Sequence, residues 1–282
     1  MLLMLIATVL AAAAQTAPGP ADNKPVEPYP IADHVYYVGA SDIASYLITT
    51  PEGHILIDAG YEQTVPLIQA SVEKLGFKMR DIKILLNTQA HFDHAAGLAR
   101  MKQLTGARLM VSEEDAPLIE AGGHGDFLFG DRFPFPPATV DRRLKDADVV
   151  RLGNVTLTMH LTPGHTKGCT TWTFDATDKG RTYHVVVVGG TAQNPGTKVS
   201  GMPTYPNITR DLTRTFETLK ALPCDIFLGA HRGYYDGAAK ADALRANPTA
   251  ANPFVDPAGY RAYVERAEKH FRDQLAAEGT RK

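Results

Sequence analysis

Short apolar runs and amphipathic segments alternate along the first third of this chain. The β-prone runs His34–Val38, Ser45–Thr49 and Ile55–Ile57 predict strands. From Glu62 to Leu75, apolar residues recur at helical spacing, which predicts a helix that ends at the following glycine. The segment Ile82–Leu86 is largely apolar, as is typical of a strand buried on both faces of its sheet. This alternation of strands and helices indicates an α/β fold.

The predicted strands cluster in the middle of the chain, and the predicted helices return near its end. The spacing predicts a helix over Ala95–Leu104 and a strand over Ala107–Val111. Ser112 is the expected N-cap of a helix over Glu113–Ala121. Residues 122–137 combine glycine, proline and aromatic residues, which predicts a long loop. Further strands are predicted at Val149–Arg151, Val155–Leu161, Thr170–Phe174, Tyr183–Val188 and Ile226–Leu228, and helices at Asp211–Leu222 and Pro257–Ala276. This order favours two sheets flanked by helices in one domain.

The N-terminal residues do not follow this pattern. The apolar run Met1–Ala14 is too short to span a membrane and ends in alanines, so we expect a signal peptide at 1–14 and a periplasmic or secreted protein. No lysine or arginine precedes the run, which leaves an uncleaved anchor or a misassigned start as alternatives. Residues 15–30 are rich in proline and polar residues, so we expect a flexible lead-in before a single domain over 31–282.

Composition narrows the functional classes. The chain has 282 residues, of which 44% are hydrophobic and 21% charged, which is ordinary for a globular protein. Its net charge of −2 does not resemble the basic footprint of a nucleic-acid-binding protein. No later stretch is apolar enough for a transmembrane helix, so we expect no stable membrane association. The two cysteines, Cys169 and Cys224, could pair or remain buried free thiols, and the sequence does not decide between these.

The strongest chemical signal is the segment NTQAHFDHAAG at 87–97, which follows an apolar strand and opens a helix. It places Gln89, His91, Asp93 and His94 within one turn. Imidazole and carboxylate groups are the side chains that bind zinc in proteins. Alternating side chains on such a turn can face one cavity while the next ones diverge. One turn can therefore supply ligands to two metal positions.

Two distant segments have the same form, in which a strand end and small residues precede a histidine. LTPGHTKGC presents His165 after a proline and a glycine, and FLGAHRGYYD presents His231 after a glycine and an alanine. Either histidine alone would be more typical of a structural or surface position. Because α/β folds place their sites at the ends of strands, the three segments together predict a metal site.

These residues resemble the metallo-β-lactamase superfamily, whose signature is H-x-H-x-D-H with two distant histidines. Several further stretches resemble its subclass B3: YYVGASDIASYLI, GHILIDAG, FPPATVDRRLKDADVVRLG, LTPGHTKGCTTWT and the NPG within GGTAQNPGTK. The resemblance runs from about Ile31 to the C-terminal helix. It implies an αββα sandwich with the metal site at one edge of the sheets.

The resemblance also implies two zinc positions. The first would use Gln89, His91 and His165, and the second would use Asp93, His94 and His231. Gln89 departs from the common pattern, which has histidine, and a neutral amide is a poorer zinc donor than imidazole. We therefore expect one or two zinc ions per chain, with the second position the stronger.

The resemblance assigns roles to residues around the metal. Asp58 in LIDAG would accept a hydrogen bond from a ligand histidine or from the metal loop, unless it serves only the start of the following helix. Thr191 stands where glyoxalase-type relatives have a metal-bridging aspartate, which argues against glyoxalase II, lactonase and phosphodiesterase activities. Thr191 and Gln193 match positions that bind the substrate carboxylate in subclass B3, although Gln193 could equally belong to a polar turn.

The long loop at 122–137 carries another open alternative. His124, Phe127, Phe129 and Phe133 could line a substrate groove, or the loop could pack on its own side chains.

The expected function is zinc-dependent hydrolysis of the β-lactam amide of antibiotics. The expected substrate is a small molecule, and the enzyme is expected to be a monomer. Zinc lowers the pKa of a bound water from ~15.7 to about 7, so a metal-bound hydroxide could attack the amide carbonyl while Asp93 orients it. The alternatives are a lactonase or another ester hydrolase of the superfamily, and a non-catalytic metal-binding protein.

Overall fold

A computed structural model describes residues 21–280 of the chain. The expected signal peptide at 1–14 and the start of the lead-in lie outside the described residues. The strands are β1 (Tyr29–Ala32), β2 (Val35–Tyr37), β3 (Tyr46–Thr50), β4 (Gly53–Ile57), β5 (Ile82–Leu86), β6 (Arg108–Ser112), β7 (Arg142–Leu144), β8 (Val149–Leu152), β9 (Val155–Leu161), β10 (Thr170–Asp178), β11 (Arg181–Val188) and β12 (Ile226–Gly229). The helices are α1 (Val65–Lys74), α2 (Phe92–Ala95), α3 (Leu98–Thr105), α4 (Ala116–Glu120), α5 (Ile208–Ala221), α6 (Gly237–Ala246) and α7 (Pro257–Gly279).

The strands form two sheets. A seven-stranded sheet has the order β1-β2-β3-β4-β5-β6-β7, and a five-stranded sheet has the order β12-β11-β10-β9-β8. Strands β4 to β7 are parallel to one another, as are β11 and β12, and the remaining neighbours are antiparallel. Both sheets are therefore mixed.

Two apolar clusters fill the three interfaces between four layers. Successive residues of β4 point to opposite faces, so Ile55 and Ile57 pack between the sheets while Leu56 packs against α1, α3 and α4. On the far side of the five-stranded sheet, Phe216 of α5 and Phe271 of α7 stack on each other at 5.7 Å. This arrangement confirms the expected αββα sandwich.

The parallel strands bring their carboxyl ends to one edge of the sandwich. The loop at 87–97 follows β5, Asp58 follows β4, and His231 follows β12. The loop at 162–169, which joins β9 to β10, reaches the same edge through the hydrogen bond from Thr170 N to the Thr88 carbonyl oxygen, 2.7 Å. The fold therefore concentrates the candidate ligands at one place.

The described part of the expected lead-in is folded. Tyr29 begins β1 and stacks on Tyr37 at 5.0 Å and on Phe254 at 5.8 Å. The Asn23 side chain is buried and accepts a hydrogen bond from Thr64 Oγ1 at 2.7 Å. The structure of residues 21–30 differs from the flexible segment expected there. A proline-rich composition indicates only the local conformational preference of the backbone, whereas these contacts are made with residues remote in sequence.

The helix expected over Ala95–Leu104 is broken in two. His91 is the N-cap of α2, which ends before Gly97, and α3 starts after it. A Cβ at Gly97 would lie 2.3 Å from the Ala59 carbonyl oxygen, so only glycine fits beneath the loop after β4.

Several other boundaries differ from the sequence expectations. Ser112 ends β6, and the N-cap of α4 is Asp115. The strand β7 and the helix α6 were not predicted, because β7 is too short for a period and α6 is weakly amphipathic. The two cysteines are free, with Cys169 buried. Within residues 21–280, no helix has the length and apolar character needed to cross a bilayer.

Candidate metal centre

A cavity of about 350 Å³ opens at this edge of the sandwich. His91, His165 and His231, which come from three loops remote in sequence, all line it. Asp93 contributes a carboxylate, and Phe92, Phe129 and Tyr234 contribute aromatic walls. The structure therefore brings the predicted metal segments to a shared space.

Asp93, His94 and His231 form a compact donor group. Their ligand atoms all lie within 4.8 Å of one another. Nε2 of His94 lies 3.2 Å from Nε2 of His231 and 3.2 Å from Asp93 Oδ2. These residues are the ones predicted for the second zinc position.

The predicted first position has the imidazoles of His91 and His165, but the Gln89 side-chain amide is not directed toward them. His91 Nδ1 lies 3.1 Å from His165 Nε2. The Gln89 side chain is buried, and its Oε1 accepts a hydrogen bond from the His91 backbone amide at 3.1 Å. The role of Gln89 as a ligand therefore stays a prediction, and it requires this amide oxygen to leave its backbone donor.

Each histidine has an oxygen behind the nitrogen that faces away from the cavity. His231 Nδ1 lies 2.9 Å from Asp42 Oδ2, and His165 Nδ1 lies 2.7 Å from the Ala192 carbonyl oxygen. His94 Nδ1 lies at a longer 3.4 Å from Asp58 Oδ2. His91 is reversed, because its Nε2 faces Asp126 Oδ2 at 3.5 Å while its Nδ1 faces the cavity.

These partners determine which ring nitrogens carry protons. A carbonyl oxygen and an ionised carboxylate can only accept, so we infer that Nδ1 is protonated in His94, His165 and His231. The opposite nitrogens then present lone pairs to the cavity. Nε2 of His94 and Nε2 of His231 lie 3.2 Å apart, so a proton or a metal ion can bridge them, and a metal ion bound there would take the lone pairs of both nitrogens. The donor set fits a zinc ion, which takes imidazole and carboxylate ligands.

The two halves of the centre differ in electrostatics. Burial disfavours a charged His94 ring, but the carboxylates of Asp93 and Asp58 raise its pKa to about 10. Burial opposes the ionisation of Asp93, yet the rings of His94 and His231 hold its pKa below the usual range. Burial, together with the neighbouring His91, lowers the pKa of His165 to about 3. The second position therefore attracts positive charge much more strongly than the first.

Asp58 acts on the metal loop and faces one of its histidines. Its Oδ1 accepts from Asn87 Nδ2 at 2.9 Å and from Thr88 N at 2.7 Å, and its Oδ2 accepts from Thr88 Oγ1 at 2.6 Å. Its backbone has a φ of 61°, a left-handed conformation that is costly for a residue with a Cβ. The hydrogen bonds hold this strained residue under the metal loop.

Three carboxylates around the centre were not found by sequence reasoning. Asp42 and Asp126 stand behind His231 and His91. Asp115 is buried and accepts from Ala90 N, Thr166 Oγ1 and Gly168 N, so it ties two metal loops together. The burial of Asp115 raises its pKa, and these donors oppose the rise. No sequence spacing relates these aspartates to the histidines, because each contact is made between different loops.

Thr191 and Gln193, which were predicted to bind the substrate carboxylate, are not among the residues that line the cavity. Thr191 is buried, and its Oγ1 lies 2.8 Å from the hydroxyl of Tyr263 on α7. Gln193 Nε2 donates to the Thr191 carbonyl oxygen at 2.7 Å. The side chains of this loop that line the cavity are Ala192 and Asn194. A substrate role for Thr191 and Gln193 stays a prediction, and Asn194 is the better placed polar group.

The long aromatic loop does both things that were left open. Phe129 lines the cavity and packs edge-on against His91 at 5.1 Å. Phe129 also contacts Phe133 at 5.1 Å, and Phe133 stacks on Phe92 at 4.5 Å. Phe127 instead packs into the core against Tyr205 at 5.0 Å. The loop thus packs on itself and forms one wall of the cavity.

Comparison with known proteins places the chain among related hydrolases. A profile of the metallo-beta-lactamase superfamily matches residues 38–231. The native FEZ-1 metallo-beta-lactamase from Legionella gormanii is 45% identical with a TM-score of 0.90, and the match covers 94% of this chain and 100% of that one. BJP-1, a subclass B3 metallo-beta-lactamase of Bradyrhizobium japonicum, is 38% identical with a TM-score of 0.84, over 92% and 97% of the two chains.

Curated sequence relatives carry a different name. A hydroxyacylglutathione hydrolase from Rhodopseudomonas palustris is 29% identical over 135 residues, which are 48% of this chain and 44% of that protein. The chain thus spans about half the length of the curated relatives it matches. The likeness to solved structures is both closer and more complete.

Proposed function

The chain belongs to the metallo-beta-lactamase superfamily, and on that premise we propose that it hydrolyses the amide of β-lactam antibiotics with zinc. The observation that carries the proposal is the donor group of Asp93, His94 and His231, whose ligand atoms converge at the floor of an open cavity. The whole-length likeness to solved metallo-beta-lactamases directs the choice of substrate.

Asp93, His94 and His231 would hold the stronger zinc ion, and His91 and His165 would provide the weaker position. When bound, zinc lowers the pKa of a coordinated water to about 7 and polarises a carbonyl oxygen. The chain's own residues supply orientation. Asp42 and Asp58 hold the rings of His231 and His94 from behind, at 2.9 and 3.4 Å.

Asp93 is the catalytic residue of the proposal. Its carboxylate reaches the cavity and stays ionised, because the two neighbouring rings hold its pKa low. An ionised carboxylate can accept a hydrogen bond from a water molecule and thereby fix the direction of its attack. Phe92 and Phe129 give the cavity an apolar wall beside Asp93, against which a substrate ring could pack.

A second candidate is the hydrolysis of an ester, including a lactone or a hydroxyacylglutathione thioester. The curated relatives favour it, since they are named hydroxyacylglutathione hydrolases. Residue 191 argues against ester hydrolysis. The family resemblance places Thr191 where glyoxalase-type relatives have a metal-bridging aspartate, and the Thr191 hydroxyl is hydrogen-bonded to the Tyr263 hydroxyl. The amide hydrolase is therefore the function we favour.

The deciding experiment measures hydrolysis of nitrocefin and imipenem by the purified protein, with and without EDTA, together with metal analysis. Parallel assays use an acyl-homoserine lactone and a hydroxyacylglutathione thioester. We expect β-lactam turnover that EDTA abolishes and zinc restores. Faster turnover of the lactone or thioester would favour the second candidate, and retained zinc without any turnover would indicate a metal-binding protein.

The proposed location is the periplasm or the extracellular medium, and the proposed state is a monomer. The apolar run at 1–14 supports the location, and a cavity that the residues of one chain line is compatible with a monomer. Cell fractionation with N-terminal sequencing would test the location, and light scattering would test the state. An intact leader on the mature protein would contradict the secretion proposal.

A further inference from the structure

The segment 189–201, in the connection between β11 and α5, carries two groups of the metal centre but has no helix or strand of its own. Its Ala192 carbonyl oxygen lies 2.7 Å from His165 Nδ1, and its Asn194 lines the cavity. Among residues 21–280, one backbone–backbone hydrogen bond forms inside this segment, from Thr197 N to the Asn194 carbonyl oxygen at 2.9 Å. The position of the Ala192 carbonyl therefore depends on contacts with other elements.

The C-terminal helix α7 holds the far part of this segment. Gln274 Nε2 donates a hydrogen bond to the Thr197 carbonyl oxygen at 2.8 Å. The Glu278 carboxylate accepts from Val199 N at 3.1 Å and from Ser200 N at 2.7 Å. Because backbone polar groups need hydrogen-bond partners, these side chains replace the partners that a regular element would supply. Helix α7 therefore supports the active-site loop as well as forming part of a layer of the sandwich.

Tyr263 of α7 makes the contact beside the metal centre. It precedes Gln274 by about three helical turns, so both side chains lie on one face of the helix. Its hydroxyl oxygen lies 2.8 Å from Oγ1 of Thr191, the residue before Ala192. Burial raises the pKa of Tyr263, so the hydroxyl stays neutral and able to share this hydrogen bond at neutral pH. The bond fixes the backbone one residue away from the carbonyl that holds His165.

The ring of Tyr263 reaches the other side of the centre. Its centroid lies 5.0 Å from that of Tyr234, which lines the cavity and whose own centroid lies 5.2 Å from that of His231. Tyr263 itself is not among the residues that line the cavity. Its hydroxyl and its ring therefore act on different metal positions, and removing the hydroxyl alone separates the two effects.

We propose that Tyr263 is a positioning residue of the metal centre. Through Thr191, its hydroxyl holds the Ala192 carbonyl where it accepts the Nδ1 proton of His165, so that His165 Nε2 stays directed to the first metal position. The zinc affinity of that position then depends on a helix that contributes none of the predicted ligands. The inference rests on the proposed function for the identity of the metal, but not for the substrate.

The first test uses the metal-free protein, in which the His165 ring can be observed directly. Nitrogen-15 NMR of histidine-labelled protein follows the Nδ1 proton, which the spectrum of His165→Gln assigns. In the wild type we expect this proton to exchange slowly with water, because the Ala192 carbonyl binds it. In Tyr263→Phe, which keeps the ring and removes the hydroxyl, the exchange should quicken about tenfold, as for the loss of one neutral hydrogen bond.

Zinc titration against a chromophoric chelator gives the second readout. Tyr263→Phe should lower the zinc affinity of the first position by about tenfold, which is the lower end of the effect of losing an outer partner of a ligand. The affinity of the second position should not change, because the ring that packs on Tyr234 remains. A general loss of stability would not distinguish the two positions in this way.

Tyr260→Phe is the matched control. Tyr260 lies on the same helix, and its hydroxyl donates a hydrogen bond of the same length, 2.8 Å, to the Leu219 carbonyl oxygen of α5. It should lower the melting temperature, but it should leave the His165 proton and both zinc affinities unchanged. A double-mutant cycle with Thr191→Val tests the route. Since the two hydroxyls form one bond, Tyr263→Phe should add nothing to the effect of Thr191→Val.

Several outcomes would overturn the inference. They are rapid exchange of the His165 proton already in the wild type, unchanged exchange in Tyr263→Phe, and additive effects of the two substitutions. Equal weakening of both zinc positions, or the same changes in Tyr260→Phe, would mean that α7 stabilises the fold as a whole. If the wild type binds no zinc, the proposed function fails, and the NMR comparison of the metal-free proteins still decides this inference. Normal zinc binding and turnover with unchanged exchange would remove the inference alone.

Discussion

The two halves of the metal centre share the loop at 87–97 but offer different chemistry. The second position combines an ionised carboxylate, Asp93, with two imidazoles that have carboxylates behind them. The first combines the imidazoles of His91 and His165, while the amide of Gln89 is turned to the backbone. The comparison teaches that ligand number alone does not rank the two positions, because the negative charge lies in one of them.

The pKa shifts of the histidines express the same difference. In the second position the carboxylates raise the pKa of His94 to about 10, because they stabilise positive charge there, whether a proton or a metal ion carries it. In the first, burial and the neighbouring ring lower the pKa of His165 to about 3. A neutral pair of imidazoles can bind zinc, but no carboxylate is among its ligands, and its nearest one, Asp126, stands behind His91 at 3.5 Å.

The largest expected effect comes from exchanging charge for neutrality in the second position. Asp93→Asn keeps the shape of the side chain and removes its charge. Since loss of an outer partner of a metal ligand costs roughly 10–100-fold, we expect loss of this ligand charge to lower kcat/KM by more than ~100-fold. Steady-state hydrolysis of nitrocefin with measured zinc content checks it.

If the second position is the stronger one, Gln89→Ala should lower the activity only slightly. The Gln89 amide oxygen accepts a hydrogen bond from the His91 backbone amide at 3.1 Å and contacts no second ligand group among residues 21–280, so we expect kcat/KM to fall less than ~10-fold. Melting temperatures of both variants control for misfolding. If Gln89→Ala proved more damaging than Asp93→Asn, the first position would be the working one and the ranking would be reversed.

A smaller effect is expected from the carboxylates behind the rings. Asp42→Asn should weaken zinc at the second position and Asp126→Asn at the first, each by about 10–100-fold. The physical reason is that His231 and His91 would lose the negative charge behind their rings, at 2.9 and 3.5 Å, although an amide oxygen could still accept a hydrogen bond. Competition with a chromophoric chelator measures the two affinities.

Asp131→Asn is the matched control for this pair. Asp131 is an exposed carboxylate on the same loop as Asp126, and it pairs with His124 instead of a metal-facing ring. It should leave both affinities unchanged. Equal weakening of both positions by Asp126→Asn would show that this aspartate stabilises the loop as a whole, not one ligand.

Much of this centre could be predicted from the sequence because its residues are local. Gln89, His91, Asp93 and His94 fall within one turn after a buried strand, and the strand end dictates that they lie at the sheet edge. Runs of apolar residues also located most strands. The buried strands β4 and β5 are examples, since most residues on both of their faces are apolar. The αββα arrangement came from the resemblance and not from these patterns.

The remaining features depend on contacts between segments remote in sequence. Asp42, Asp115 and Asp126 stand in ordinary loops, and only the folded chain places them behind the ligands. The direction of the Gln89 amide depends on a backbone donor two residues away, which composition does not reveal. Tyr29 likewise joins a sheet through rings from distant segments.

The smallest expected effect, and the one that sharpens the comparison most directly, is Gln89→His. A third imidazole would replace the neutral amide and give the first position a donor set of three histidines, which binds zinc in catalytic sites of other proteins. We expect zinc content to rise from about one toward two per chain, with kcat changed by less than ~10-fold because the second position is untouched. Metal analysis after dialysis checks this. The control is Gln69→His on α1, where the exposed amide donates a hydrogen bond to Glu73. An unchanged zinc content would mean that the side chain at 89 remains turned to the His91 amide, so that the two positions differ through the path of the loop and not through the chemistry of one ligand.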